Sequence, residues 1–265
     1  MIKKILPFLC IPLFVFAKVH YAKVEPYESV VLKAATSALV LKVDLDAEGR
    51  LIASKRVIHL DDTLDYINLK DTKKSIAFLK EMLRINKDIA TSLKETVRRQ
   101  KGRYERMSKI STASQTQKDN TYSAFTSAKT QYLSTREKII SLEKQILDME
   151  YKVAQLKDVI EKKSIILKNK YLYKLLVKEG DFVAPGTPLA NVKDASRAKL
   201  VLFLEPEELT NIAQKKVYID DKETTYKIDK IWKIADEKYI SSYRAEIYIP
   251  APKEVFSKLM KLEIR

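Results

Sequence analysis

The sequence predicts an elongated α+β fold: an antiparallel α-helical coiled-coil hairpin inserted between two halves of a β-sandwich, followed by a small antiparallel β-barrel. Three observations predict it. Apolar residues recur at steps of three and four across residues 76–107 and again across 125–160, with a polar break between them. Two strand-and-turn segments of similar layout, 27–62 and 171–194, flank that span. From Ala198 onward the text changes to short alternating strands.

Composition narrows the function classes. The chain has 265 residues, 46% of them hydrophobic and 32% charged, as an ordinary folded protein has. Glycine numbers only 4, few for a nucleotide-binding fold that brings backbone close to its ligand. The formal charge of +15 fits nucleic acid, an anionic membrane surface or an acidic protein partner. An export signal and the lack of aromatic-basic interleaving argue against nucleic acid.

That signal occupies residues 1–17. Lys3 and Lys4 form a basic head, 5–16 are apolar, and Ala17 is the small residue a cleavage site requires. The run is short for a membrane span; an uncleaved N-terminal anchor is the rival reading. Cys10, the 1 cysteine of the chain, lies inside it, so the mature protein has no disulfide framework. A cysteine-free exported protein suits the bacterial periplasm.

Residues 27–65 form the first half of the sandwich. "VVLKA" and "LVLKVDL" read as strands, Gly49 as a turn, then "RLI" and "RVIHLDD" as further strands. The segment 18–26 before it is expected to be too short to build anything further. Asp61, Asp62 and Asp65 sit where the chain enters the helical span and suit capping and first-turn charge.

Residues 66–164 form the helical hairpin, with its tip near 108–120. The first arm's seam is Ile76, Leu79, Leu83, Ala90, Leu93, Val97, Tyr104 and Met107, with Asn86 and Gln100 falling on it. The second runs through Phe125, Ala128, Tyr132, Thr135, Ile139, Leu142, Ile146, Met149, Val153, Leu156 and Ile160. An apolar residue every 3.5 positions keeps one face toward a partner helix. Between the arms, "SKISTASQTQKDN" is dense in residues that favour caps and turns. Arms of about forty residues at 1.5 Å each make a rod of roughly 60 Å. A single long helix that dimerises is the alternative.

Residues 165–196 hold the sandwich's second half. "YLYKLLVKEGDFVAPGTPLANVKD" places strands around turns at Gly180 and at Pro185-Gly186. Neither half alone buries a core; together they make one of about seventy residues. Residues 197–265 read as the barrel: "AKLVLFL", a short helix at Glu205-Pro206, then "KKVYIDD", "TTYKIDKIWKIA", "YRAEIYIP" and a closing strand, with Trp232 packed on it.

This ordered set of features resembles the periplasmic adaptor, or membrane fusion, proteins of bacterial tripartite efflux and type I secretion systems. "YLYKLLVKEGDFVAPGTPLANVKDAS" looks like the second half of their lipoyl-like domain. The first half departs from the pattern, with Ala38 where many members have glycine. Lys55 and Lys178 near turns are read as surface lysines, and no lipoylation is expected.

The resemblance implies a contact site at the hairpin tip. Such adaptors often carry Arg, then Leu four residues later, then Ser seven after that. Arg103, Met107 and Ser114 keep this spacing, with methionine for leucine. Arg103 would reach carboxylates or carbonyls of an outer-membrane channel. Met107 would fill an apolar slot and Ser114 would hydrogen-bond at the turn.

The implied partners are a TolC-like outer-membrane channel, an inner-membrane RND or ABC transporter, and further copies in a ring, with no nucleic acid. The implied place is the periplasm, at the inner membrane through the partner or an uncleaved N-terminal segment. No cofactor, metal or catalytic residue is expected: His20 and His59 stand far apart, and no phosphate loop or nucleophile elbow is present. A periplasmic coiled-coil tether without a transport role is the alternative.

Overall fold

A computed structural model describes residues 18–236, 239, 241–252 and 256–265. The expected export signal at 1–17, with Cys10, lies outside them. Among the described residues no helix is long and apolar enough to cross a membrane.

Two helices dominate, α1 (Thr63–Lys109) and α2 (Gln115–Lys163). They pack along the seam read from the sequence. Leu69, Thr72 and Asn86 of α1 are buried, as are Ala128, Leu142, Ile146 and Ile160 of α2, and the remaining seam residues are half-buried between exposed neighbours. Lys80 pairs with Glu150 at 2.8 Å and Lys87 with Glu143 at 2.9 Å, which fixes the antiparallel register. Asn86 spends its amide on its own helix, Nδ2 donating to the Met82 carbonyl at 2.7 Å. At the base Lys163 reaches Asp65 at 2.5 Å and ties the end of α2 to the start of α1. Asp61, rather than Asp62, caps α1: its carboxylate accepts from the Thr63 N–H at 3.1 Å, and those Thr63 bonds hold its carboxyl below the usual range. Asp62 is buried beside His59, 3.2 Å away.

Gly102 lies inside α1 with no need for glycine's freedom. A Cβ there would meet Arg106 Nη1 at 3.4 Å, the movable end of a long side chain. Gly102→Ala is therefore expected to stabilise the rod by about 0.5–1 kcal/mol, read as a higher urea midpoint. An unchanged or lower midpoint would mean that the glycine answers a packing constraint.

The strands before the rod are β1 (Val19–Lys33), β2 (Ala38–Val43) and β3 (Arg50–Leu60). After it come β4 (Ser164–Leu175), β5 (Phe182–Val183) and β6 (Pro188–Leu204). The antiparallel helices return the chain to its point of departure, and β3 pairs with β4 from Arg50↔Leu172 to His59↔Ser164. The Gly180 N–H donates to the Val40 carbonyl at 2.9 Å, and the Val43 N–H to Glu179 at 3.1 Å. Gly180 and Gly186 adopt φ of 89° and 92°, the left-handed region their turns require. One core then draws on both sides of the rod: Val40, Val57, Ile58 and Leu60 pack with Leu172, Val183, Leu189 and Ala190. Each large side chain so buried stabilises the fold by roughly 1.5–3 kcal/mol relative to exposure.

The chain continues into β7 (Val217–Ile219), β8 (Lys222–Glu223), β9 (Lys230–Ile231), β10 (Tyr243–Pro250) and β11 (Leu259–Ile264). A second core gathers Leu200, Leu202, Leu204, Val217, Ala245, Ile247, Leu262 and Ile264. The main pairing path runs β5-β2-β3-β4-β6-β1-β11-β7-β8, and β9 and β10 branch from β6. Among the described residues this path is open, with β5 and β8 at its ends.

Three local expectations change. Residues 18–26 are not idle: Val19 to Lys23 pair with β11, and Ala22 and Val24 are buried in the second core. Lys55 stands mid-strand in β3, opposite Leu167, and reaches Asp44 at 2.5 Å, because 50–60 is one strand without a turn. Of "TTYKIDKIWKIA" only Lys230–Ile231 pairs, while Tyr226 and Ile228 turn onto the second core. Trp232 is half-buried beneath two cations, Lys230 at 4.3 Å and Arg244 at 5.0 Å from its ring centre.

β1 and β6 run unbroken past both cores. At the waist between them Arg197 lies 4.1 Å over the Tyr27 ring, which meets Tyr248 edge-on at 5.2 Å. Beside them Asp194 accepts from Lys170 at 2.7 Å and from the Ser196 hydroxyl and N–H at 2.6 and 3.0 Å.

Candidate functional site: the hairpin tip

The turn between the helices is five residues, 110–114. Helix α1 stops at Ile110, whose N–H donates to the Met107 carbonyl at 3.2 Å. Helix α2 starts on a reciprocal cap. Ser114 Oγ accepts from the Gln117 N–H at 3.2 Å, and Gln117 Oε1 accepts from the Ser114 N–H at 3.0 Å. Each bond satisfies a backbone donor that a helix start would otherwise leave open. One turn below, Tyr104 packs against Tyr122 and Phe125, with ring centres 5.3 and 6.3 Å apart, and so stiffens the last stretch of the seam.

The three residues that the resemblance singled out are all within this end of the rod, in unlike settings. Arg103 is exposed on α1. Met107 is half-buried on the seam, so part of its side chain already serves the hairpin itself. Ser114 is exposed, but its hydroxyl oxygen is engaged in the cap.

Charge is the feature that spacing missed. Within residues 98–118, Arg98, Arg99, Lys101, Arg103, Arg106, Lys109 and Lys118 stand against Glu105 alone. Arg106 and Lys109 complete the last turn of α1, where cations offset the partial negative charge of a helix C-terminus. Arg98 pairs with Glu95 at 2.9 Å and Lys101 with Glu105 at 3.6 Å. The rest leave this end of the rod with an excess of positive charge. With Ile110 45% exposed at its apex, the tip offers an apolar point in a basic collar. A run of basic residues beside the polar break was the available signal.

A groove of 830 Å³ is at the rod's other end, between the base of α2 and strands β1, β4 and β6, and its Lys170 and Asp194 are already paired to each other. No three His, Cys, Asp or Glu side chains there gather as a metal ion would need.

Comparison with known proteins defines the class. No protein-family model and no curated protein matches the sequence. Solved structures do. MacA from Actinobacillus actinomycetemcomitans superposes with a TM-score of 0.72 at 16% identity, over 94% of this chain and 79% of that one. A MacA-MexA chimeric protein carrying the Pseudomonas aeruginosa MexA α-hairpin domain gives 0.60 at 15%, over 94% and 81%. The membrane fusion protein Spr0693 from Streptococcus pneumoniae R6 gives 0.60 at 8%, over 93% and 99%. The chain thus has the fold of the membrane fusion, or periplasmic adaptor, proteins. The superposition extends over nearly all of its length.

Proposed function

We propose that this protein is a periplasmic adaptor that links an inner-membrane exporter, of RND or ABC type, to a TolC-like outer-membrane channel. The observation that carries the reading is the rod: a helical hairpin closed at its base by β3–β4 pairing, with a stiff, basic tip held away from both cores. A subunit that must reach a distant partner has use for such a device. In this reading 1–17 is an export signal, residues 27–65 with 165–196 are a lipoyl-like sandwich, 66–164 is the reaching arm, and 197–265 is a barrel domain whose open sheet meets neighbours. Arg103 supplies a forked donor to carboxylates or carbonyls of the channel. Met107 adapts to an apolar slot, and Ser114 sets the turn that presents both. Several copies form a ring, and the protein works by assembly rather than catalysis.

Crosslinking in cells tests it. A photoreactive residue at position 107 is expected to trap an outer-membrane channel protein, and Arg103→Glu in the same chain to abolish the adduct. Adducts with cytoplasmic proteins or nucleic acid alone would overturn the assignment.

A further inference from the structure

The protein carries a formal charge of +15, yet the 830 Å³ groove at the base of the rod runs against that sign. Glu28, Asp158, Glu161 and Asp194 line it, against Lys162, Lys168 and Lys170. Two pairs cancel, Lys162 with Asp158 at 2.6 Å and Lys170 with Asp194 at 2.7 Å. Glu28 and Glu161 are then left over, each exposed and in no ion pair among the described residues, with Lys168 alone to offset them.

Topology sets these two carboxylates around an apolar floor. In the sheet β6 lies between β1 and β4. On β1 and β6, Glu28 stands opposite Asp194 and Val30 opposite Val192, so the four share one face of the sheet. Leu32 follows Val30 by two positions and points the same way. On the other side of β6, α2 runs directly into β4 at Ser164. Asp158, Glu161 and Lys162, three and four residues apart, line the groove from one face of the last helical turns. The floor is not core. Val30 is 43% exposed and Ile166 51%, so apolar surface stays wet inside a concavity rimmed by free carboxylates.

That combination selects a ligand class. A bare metal ion needs several donors drawn together, and none gather among the described residues. An anion meets the wrong sign. A neutral apolar molecule would dry the groove and leave Glu28 and Glu161 without a counter-charge. An amphipathic organic cation meets both needs: its apolar body covers Val30 and Ile166, and its charged nitrogen faces the carboxylates. The volume lies within the roughly 300–1,000 Å³ of pockets that hold small organic molecules. We propose that this groove is a binding site for amphipathic organic cations, with Glu28 and Glu161 as counter-ions and Val30, Leu32 and Ile166 as the apolar floor. Binding stands independently of the adaptor reading; any part the bound cation plays in transport rests on it.

The test is fluorescence polarisation with the purified full chain and two dyes of one scaffold. Rhodamine 6G is an amphipathic cation, and fluorescein is an anion of similar size. Rhodamine 6G is expected to saturate a single site and fluorescein to bind about tenfold more weakly or worse. Combining Glu28→Gln with Glu161→Gln is expected to weaken rhodamine 6G about tenfold or more. Both positions are exposed and outside any ion pair, so the double variant is expected to keep the wild-type urea midpoint, which separates lost binding from lost folding. Equal affinity for the two dyes would mean apolar contact without charge selection and would overturn the proposal. So would a double variant that binds rhodamine 6G as wild type does, or the absence of saturable binding. Crosslinking from the tip is read separately, so a groove that fails this test beside an intact tip adduct would leave the adaptor role standing.

Discussion

Leu172→Ala is expected to lower the stability of the protein by about 2–5 kcal/mol. Leu172 is fully buried and central to β4, opposite Arg50 of β3 on one side and Val192 of β6 on the other. Its carbonyl also accepts from the Gly49 N–H at 2.8 Å. The side chain is thus where material from before the rod and after it shares one core. Removing it loses transfer free energy and leaves a cavity that strands held on both sides cannot close. A domain's whole stability is about 5–15 kcal/mol, so the urea midpoint should fall steeply. A loss under about 1 kcal/mol would mean that the two halves do not depend on each other.

The second large effect is at the waist. Lys170, with the hydroxyl and N–H of Ser196, holds the Asp194 carboxyl far below its usual range, against a small opposing push from burial. A carboxylate with a depressed folded-state pKa stabilises the fold fully above its unfolded value, about 3.9, and loses that contribution as pH falls toward the folded value. Hydrogen bonds to a charged group, discounted because Lys170 is partly exposed, contribute on the order of 1–2 kcal/mol. Asp194→Asn is therefore expected to be less stable than wild type by that amount at pH 7. The gap should narrow below about pH 4 in paired urea melts. A gap constant down to pH 2 would assign the loss to shape rather than charge.

The parts legible in the sequence were those in which one physical rule acts alone. A seam such as Leu142-Ile146-Met149 obeys the 3.5-residue period without competition, so the rod could be read almost residue by residue. Gly180 and Gly186 announce turns because few other residues tolerate their backbone. Strand pairing was harder. Pro26 has no N–H to donate, and the β1–β6 register shifts beside it, which split one long strand into a neglected leader and a recognised remainder. In β3, "ASKR" breaks the alternation with polar residues although no turn intervenes. At the tip, the resemblance drew attention to Arg103, Met107 and Ser114, while the basic residues around them follow no spacing of their own and the Ser114–Gln117 cap is one of several that a stretch so rich in capping residues allows.

The insertion of the rod also dictates an order of events when the chain folds. Joining β3 to β4 before the helices exist would mean closing a loop on the order of a hundred residues, with the entropy of the whole segment to be lost at once. Contacts between distant parts of a chain are slow to form, whereas the tip requires only neighbours in sequence. The capped turn at Ser114 is thus the natural starting point, from which the arms zip downward and deliver His59 and Ser164 to each other. Damage to the turn should then register as delayed maturation of the globular end, a rod's length away.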